Sequence, residues 1–137
     1  MRLEVAQDLV RARCYGRCEG CGTFGSVQVH HRLARGMGGL RSRSAEEAGN
    51  DVRNLLALCL ACHASTEHAD SWRECEAMGW RFRHGIDADP LFTPALIWTT
   101  QGYDWWYLTA TGGFRFADLP TEYRFTWREG GPDGPAS

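Results

Sequence analysis

Six cysteines and five histidines are where this chain could do chemistry, and their spacing sorts them. Cys18-x2-Cys21 and Cys59-x2-Cys62 are two paired-thiolate turns separated by 37 residues. Two residues between cysteines let a tight loop aim both sulfurs at one point, and two such turns complete a tetrahedron around zinc at about 2.3 Å per sulfur. The competing reading is two incidental or redox cysteine pairs. A structural zinc contributes roughly 10–16 kcal/mol in zinc-finger peptides, which is large beside the total stability of a small domain. Cys14 and Cys75 are left over and read as buried small hydrophobes, with Cys14 an alternative ligand.

Four of the five histidines, His30, His31, His63 and His68, lie with Asn54 inside residues 30–68. A lone histidine is commonly a satisfied structural residue. Two adjacent ones at a strand end are harder to explain in that way, because the pleat sends their side chains to opposite faces. One can face a metal and the other a water. His63 follows a zinc cysteine directly, so the staple would fix its position.

Several elements must position these groups. Residues 3–13 read as a short amphipathic helix with Leu3, Ala6, Leu9 and Val10 on one face. Residues 25–31 (GSVQVHH) read as a β-branched, alternating strand, and residues 54–60 (NLLALCL) as a short apolar one. Between them lies RLARGMGGLRSRSAEEAGNDVR, an Arg- and Gly-rich loop of a length that is usually functional or disordered. From His63 or Ser65 to Met78 the pattern predicts one helix, with Gly79 as its stop. Strands follow at about 95–99, 104–109 and 113–116, where Trp98, Trp105 and Trp106 read as a hairpin core; Trp127 and His84 receive the same packing reading.

All 15 basic residues are Arg and the net charge is −2, so the whole chain carries no nucleic-acid signal. The distribution says more: the balance is +5 over residues 1–43 and −7 over the rest. Hydrophobic content of 43% and aromatic content of 12% argue for a folded protein. No apolar run approaches the ~20 residues that span a bilayer, and the N-terminus lacks a signal-peptide core. The expectation is a cytoplasmic protein with reduced cysteines.

Taken together, Cys-x2-Cys, then VHHRLARGMGG, then NLLALCLACH with a further His downstream, resembles the HNH (ββα-metal, His-Me finger) endonucleases, above all the small zinc-stapled versions of actinobacteria and their phages. The likeness covers about residues 14–80, and GWRFRHGIDADPLFTP resembles the segment that follows the nuclease core there. It implies a small α+β fold. Residues 1–80 would hold the ββα-metal core, with an N-terminal helix and a four-cysteine structural zinc site of Cys18, Cys21, Cys59 and Cys62. Residues 81–128 would form an aromatic-rich β extension packed on or next to it, and 129–137 a disordered tail.

The resemblance also implies a function: hydrolysis of DNA phosphodiester bonds to 5′-phosphate and 3′-hydroxyl ends. Position by position, His30 takes the place of the first catalytic metal ligand, His31 of the general base and Asn54 of the residue that orients this base. His63 takes the place of the helix metal ligand and His68 of its partner. The ion would be Mg²⁺, Mn²⁺, Ni²⁺ or Zn²⁺, and the partners DNA together with phage packaging or other DNA-processing proteins. Arg32, Arg35, Arg41 and Arg43 would contact backbone phosphates; Arg11, Arg13 and Arg17 are weaker candidates. One spacing departs from the pattern. His63 and His68 are five apart rather than four, which turns them roughly 140° from each other on a regular helix. Either the helix starts late, capped by Ser65, or His68 is not a ligand and Glu67 takes its place. The alternative to an enzyme is a non-catalytic zinc-ribbon DNA-binding or adaptor module, which needs the four cysteines but not the histidines.

Overall fold

In the computed structural model, the described residues are 2–34, 49–83 and 89–119. Helix α1 (Leu3–Cys14) is followed by strands β1 (Gln28–His31) and β2 (Leu55–Leu58) and two short helices, α2 (Leu60–Ser65) and α3 (Trp72–Ala77). Strands β3 (Ala95–Thr99), β4 (Gly102–Leu108) and β5 (Phe114–Phe116) complete the chain's small α+β architecture. β1 and β2 pair antiparallel, with His30 opposite Leu56 and His31 opposite Leu55. The second sheet has the order β3-β4-β5, also antiparallel. No helix among the described residues is long and apolar enough to cross a membrane.

β2 reads as an unbroken apolar run because it is covered on both faces. Leu55 and Ala57 join Ala6, Val10 and Cys14 of α1 in one cluster. Leu56 and Leu58 point the other way, into a larger cluster with Cys18, Cys75, Met78, Trp80, Leu96, Trp105 and Leu108. That larger core spans residues from both the zinc-cysteine region and the C-terminal sheet, so the aromatic strands are packed on the rest of the chain. The free edge of β3 is covered as well. The Leu96 amide donates to Met78 O at 2.8 Å, and the Trp98 amide to Glu19 O at 2.8 Å.

The single helix predicted up to Met78 is instead two. Side chains in the break compete for backbone groups that a continuous helix would use. Thr66 Oγ1 donates to His63 O at 2.7 Å, Ser65 Oγ to Cys62 O at 2.6 Å, and Ser71 Oγ to Ser65 O at 2.7 Å. α3 does stop at a glycine. Gly79 has φ +75°, and a Cβ there would collide with the Pro94 carbonyl oxygen.

Two buried arginines tie these pieces together. Arg13 donates through Nε and Nη2 to the Glu19 carboxylate at 2.7 and 2.8 Å, and Nη2 also reaches Leu55 O at 2.7 Å. Glu19 in turn accepts from the Ala57 amide at 2.8 Å. Arg32, expected to reach phosphate, is instead 1% exposed. Its guanidinium donates to the carbonyls of Gly79, Arg53, Pro90, Thr93 and Pro94 at 2.7–3.4 Å. Burial, followed by repulsion from Arg13, lowers its pKa to about 9, so it keeps its charge at neutral pH. Arg35, Arg41, Arg43, His84, Trp127 and the 129–137 tail lie outside the described residues.

Each carbonyl left without its donor costs about 1–3 kcal/mol. Arg32→Met is therefore expected to lower the unfolding free energy by more than about 3 kcal/mol in urea titrations. Arg115→Met, which among the described residues loses an exposed stack on Tyr107, should lose less than about 1 kcal/mol. A fully stable Arg32→Met protein that binds DNA poorly would restore the phosphate role.

Candidate metal centre and histidine cavity

The Cys18–Cys21 turn and the Cys59–Cys62 turn meet. All four sulfurs lie within 4.8 Å of one another, and Cys21 Sγ and Cys59 Sγ are 3.9 Å apart. A tetrahedral zinc with bonds of about 2.3 Å has sulfur–sulfur edges of about 3.8 Å, so the quartet could hold such an ion. Both turns already aim backbone N–H groups at sulfur. Gly20 N and Cys21 N approach Cys18 Sγ at 3.2 and 3.4 Å, and Cys62 N approaches Cys59 Sγ at 3.5 Å. These donors stabilise thiolate, the form a metal takes.

The thiols also share protons. Donation from Cys62 lowers the Cys18 pKa to about 4 against the opposing effect of burial, and the same contact raises that of Cys62. Burial raises Cys59. Cys14 and Cys75 are buried elsewhere and do not join the quartet.

Gly20 is fixed by close approach. A Cβ there would stand 2.7 Å from the Trp80 ring and 3.1 Å from Cys62 Sγ. Trp80 is thus the wall against which the first cysteine turn folds. It also serves the histidines, because its carbonyl lies 2.7 Å from His30 Nε2.

A carbonyl only accepts, so His30 Nε2 carries the proton and Nδ1 keeps a lone pair. Burial, then the proximity of His63, His31 and Arg32, holds the His30 pKa down to about 4 against the Trp80 carbonyl; the ring is neutral at physiological pH. His63, on α2, packs edge-on to His30 with ring centroids 5.1 Å apart. Its Nδ1 lies 2.5 Å from Gln28 Oε1, which leaves Nε2 as the lone-pair nitrogen. Fixing one ring nitrogen in this way is how proteins set the tautomer of a metal-binding histidine. Two imidazoles on one tetrahedral ion have centroids roughly 5 Å apart, given metal–nitrogen bonds of about 2.0–2.1 Å. The pair could therefore share a cation.

His31, the next residue of β1, lines a cavity of about 260 Å³ with His30, Ala34, Glu67, Arg81, Phe82 and Arg83. Asn54 is fully buried and acts on the backbone just beyond His31. Its Oδ1 accepts from Leu33 N at 2.9 Å, and its Nδ2 donates to Leu33 O and Gly49 O at 3.1 and 3.2 Å. Its own carbonyl accepts from Arg32 N at 2.7 Å. Any orienting effect on His31 passes through these two following residues.

His68 departs from its expected place. α2 has ended before it, its side chain is 64% exposed, and its Nδ1 accepts from Asp70 N at 3.1 Å. Among the described residues the cysteine quartet is the one convergent group of three or more metal-type ligands. His68 therefore does not complete a trio with His30 and His63, and neither does Glu67, although Glu67 borders the cavity. The sequence reading missed Gln28, Trp80, Arg81 and Arg83. Gln28 had a signal: it lies two residues before His30 on a strand, hence on the same face.

The purified chain is expected to carry one zinc per molecule by elemental analysis. Gly20→Ala should lose that zinc at lower chelator concentration and be less stable by about 1–3 kcal/mol, the usual effect of overpacking. Wild-type retention and stability in Gly20→Ala would remove the constraint assigned to Trp80. Searches of family models, curated proteins and solved structures give no match, so the likeness to HNH endonucleases rests on the motif residues alone.

Proposed function

We propose that this protein is a metal-dependent endonuclease that hydrolyses DNA phosphodiester bonds, with the Cys18, Cys21, Cys59 and Cys62 quartet holding a structural zinc. The observation that carries the reading is the division of labour between two neighbours on β1. His30 pairs with His63, each with one ring nitrogen held by Trp80 O or Gln28, while His31 lines the open cavity. A zinc-ribbon binding module needs the cysteines but gives no reason to build this histidine arrangement.

His31 is the general base. Imidazole is the side chain suited to accept a proton from water in general base catalysis near neutral pH. His30 and His63 would hold the catalytic divalent cation, which supplies charge neutralisation at the phosphate and the leaving oxygen. Asn54 sets the backbone that carries His31, an indirect support of the kind that active-site groups need.

Supercoiled plasmid incubated with Mg²⁺, Mn²⁺, Ni²⁺ or EDTA tests the proposal. Wild type should nick or linearise the plasmid only with metal. His31→Ala should slow cleavage by roughly 10²–10⁴-fold, the usual contribution of a general base, while leaving the zinc content at one per chain. If zinc-loaded wild type cleaves with none of these ions, or if His31→Ala cleaves equally, the binding-module reading replaces this one.

A further inference from the structure

Arg81, Phe82 and Arg83 run alongside the chain that leaves His31. The Phe82 amide donates to Arg32 O at 2.7 Å, and Leu33 and Phe82 form a parallel bridge. In an extended segment, side chains two residues apart share a side, and these do. Arg81 Nη1 and Arg83 Nε reach the same oxygen, Glu76 Oε2, at 3.1 and 3.0 Å. Both guanidiniums also lie over the Trp72 ring, 5.1 and 5.6 Å from its centroid. Phe82 turns instead to Arg32, whose guanidinium is 5.1 Å from its ring.

Among the described residues the arrangement is rich in donors for its acceptors. A guanidinium offers five N–H donors, whereas one carboxylate accepts about four hydrogen bonds. Glu76 therefore cannot satisfy both arginines. Glu67 adds a contact of 4.0 Å to Arg81 Nε, but its side chain is 76% exposed and screened by water. Arg73 approaches the same indole at 4.8 Å, which increases the local positive charge. Arg81 and Arg83 both line the cavity that contains His30 and His31. Planar guanidinium forks suit the paired oxygens of a phosphodiester.

We propose that Arg81 and Arg83, set over Trp72 and bridged by Glu76, form the phosphate-binding wall of the histidine cavity. The assignment rests on the endonuclease reading for its substrate, and it replaces Arg32 in that role. Glu76 positions both arginines and also competes with the phosphate for them.

Binding can be separated from cleavage by measuring anisotropy of a fluorescein-labelled DNA duplex with zinc-loaded protein and no added divalent cation across a salt series. Arg81→Gln and Arg83→Gln should each weaken binding roughly tenfold or more and lower the slope of log affinity against log salt by about 1. Glu76→Gln should tighten binding several-fold, a gain that a damaged fold would not produce. Unchanged affinity and slope in folded arginine variants would overturn the wall, as would unchanged or weaker binding by folded Glu76→Gln. Should the arginine variants fail to fold, the Glu76→Gln result decides. The two proposals fail separately. Arginine-dependent binding without plasmid cleavage under any metal sinks the nuclease and keeps the wall, whereas cleavage with wild-type affinity and KM in both arginine variants does the reverse.

Discussion

A buried positive charge with no carboxylate among the described residues in its hydrogen-bond shell is an unusual thing on which to centre a small fold, yet Arg32 is one. Its guanidinium donates to carbonyls at five positions, from Arg53 before β2, through Gly79 after α3, to Pro90, Thr93 and Pro94 before β3. Taking such a charge out of water costs several kcal/mol unless its donors are used. Each of those chain segments must therefore present its oxygen at the right place. His31 is the residue immediately before this hub. The direction in which it leaves β1 is set by a network that tolerates little slack.

Trp80 performs a comparable linking task between the cysteine quartet and the histidines. Its ring packs where Gly20 and Cys62 Sγ crowd together, its indole N–H donates to Leu96 O at 2.8 Å, and its carbonyl receives His30. The cysteine quartet, the second sheet and the first histidine are thus referred to one side chain. Glu19 adds a second link. It lies inside the first cysteine turn and bonds α1, β2 and β3 through Arg13, Ala57 and Trp98. Four sulfurs can stay within ion-binding distance because their supporting turns are held by groups well away from the sulfur atoms.

Much of this was legible in the sequence, for definable reasons. Cysteine spacing identified the quartet, and alternation placed β1, an apolar run β2, and aromatic and β-branched enrichment the C-terminal strands, each to within a few residues. The apolar run of β2 could be recognised as a strand, although only the structure shows that α1 covers one of its faces. Contacts that depend on distant partners were not legible. Arg32 and Arg13 look like any surface arginine until the chain folds round them. The break between α2 and α3 was hidden because Ser65, Thr66 and Ser71 act through hydrogen bonds to carbonyls, not through any loss of periodicity. Arg81 and Arg83 gave no signal because the groups that unite them, the Glu76 carboxylate and the Trp72 ring, come from a separate helix.

The Asn54 carboxamide has a consequence for the chain on either side of it. By bonding Leu33 and Gly49 together, it clasps the two ends of residues 34–48 at a single buried point. Closing a longer loop adds only about 0.6 kcal/mol per doubling of length. The clasp therefore insulates the strand behind it from whatever the intervening residues are. The chain between Leu33 and Gly49 can lengthen, shorten or change its charge while the strand ends remain in register. Intervening chain and scaffold can then vary independently, with one asparagine as the boundary between them.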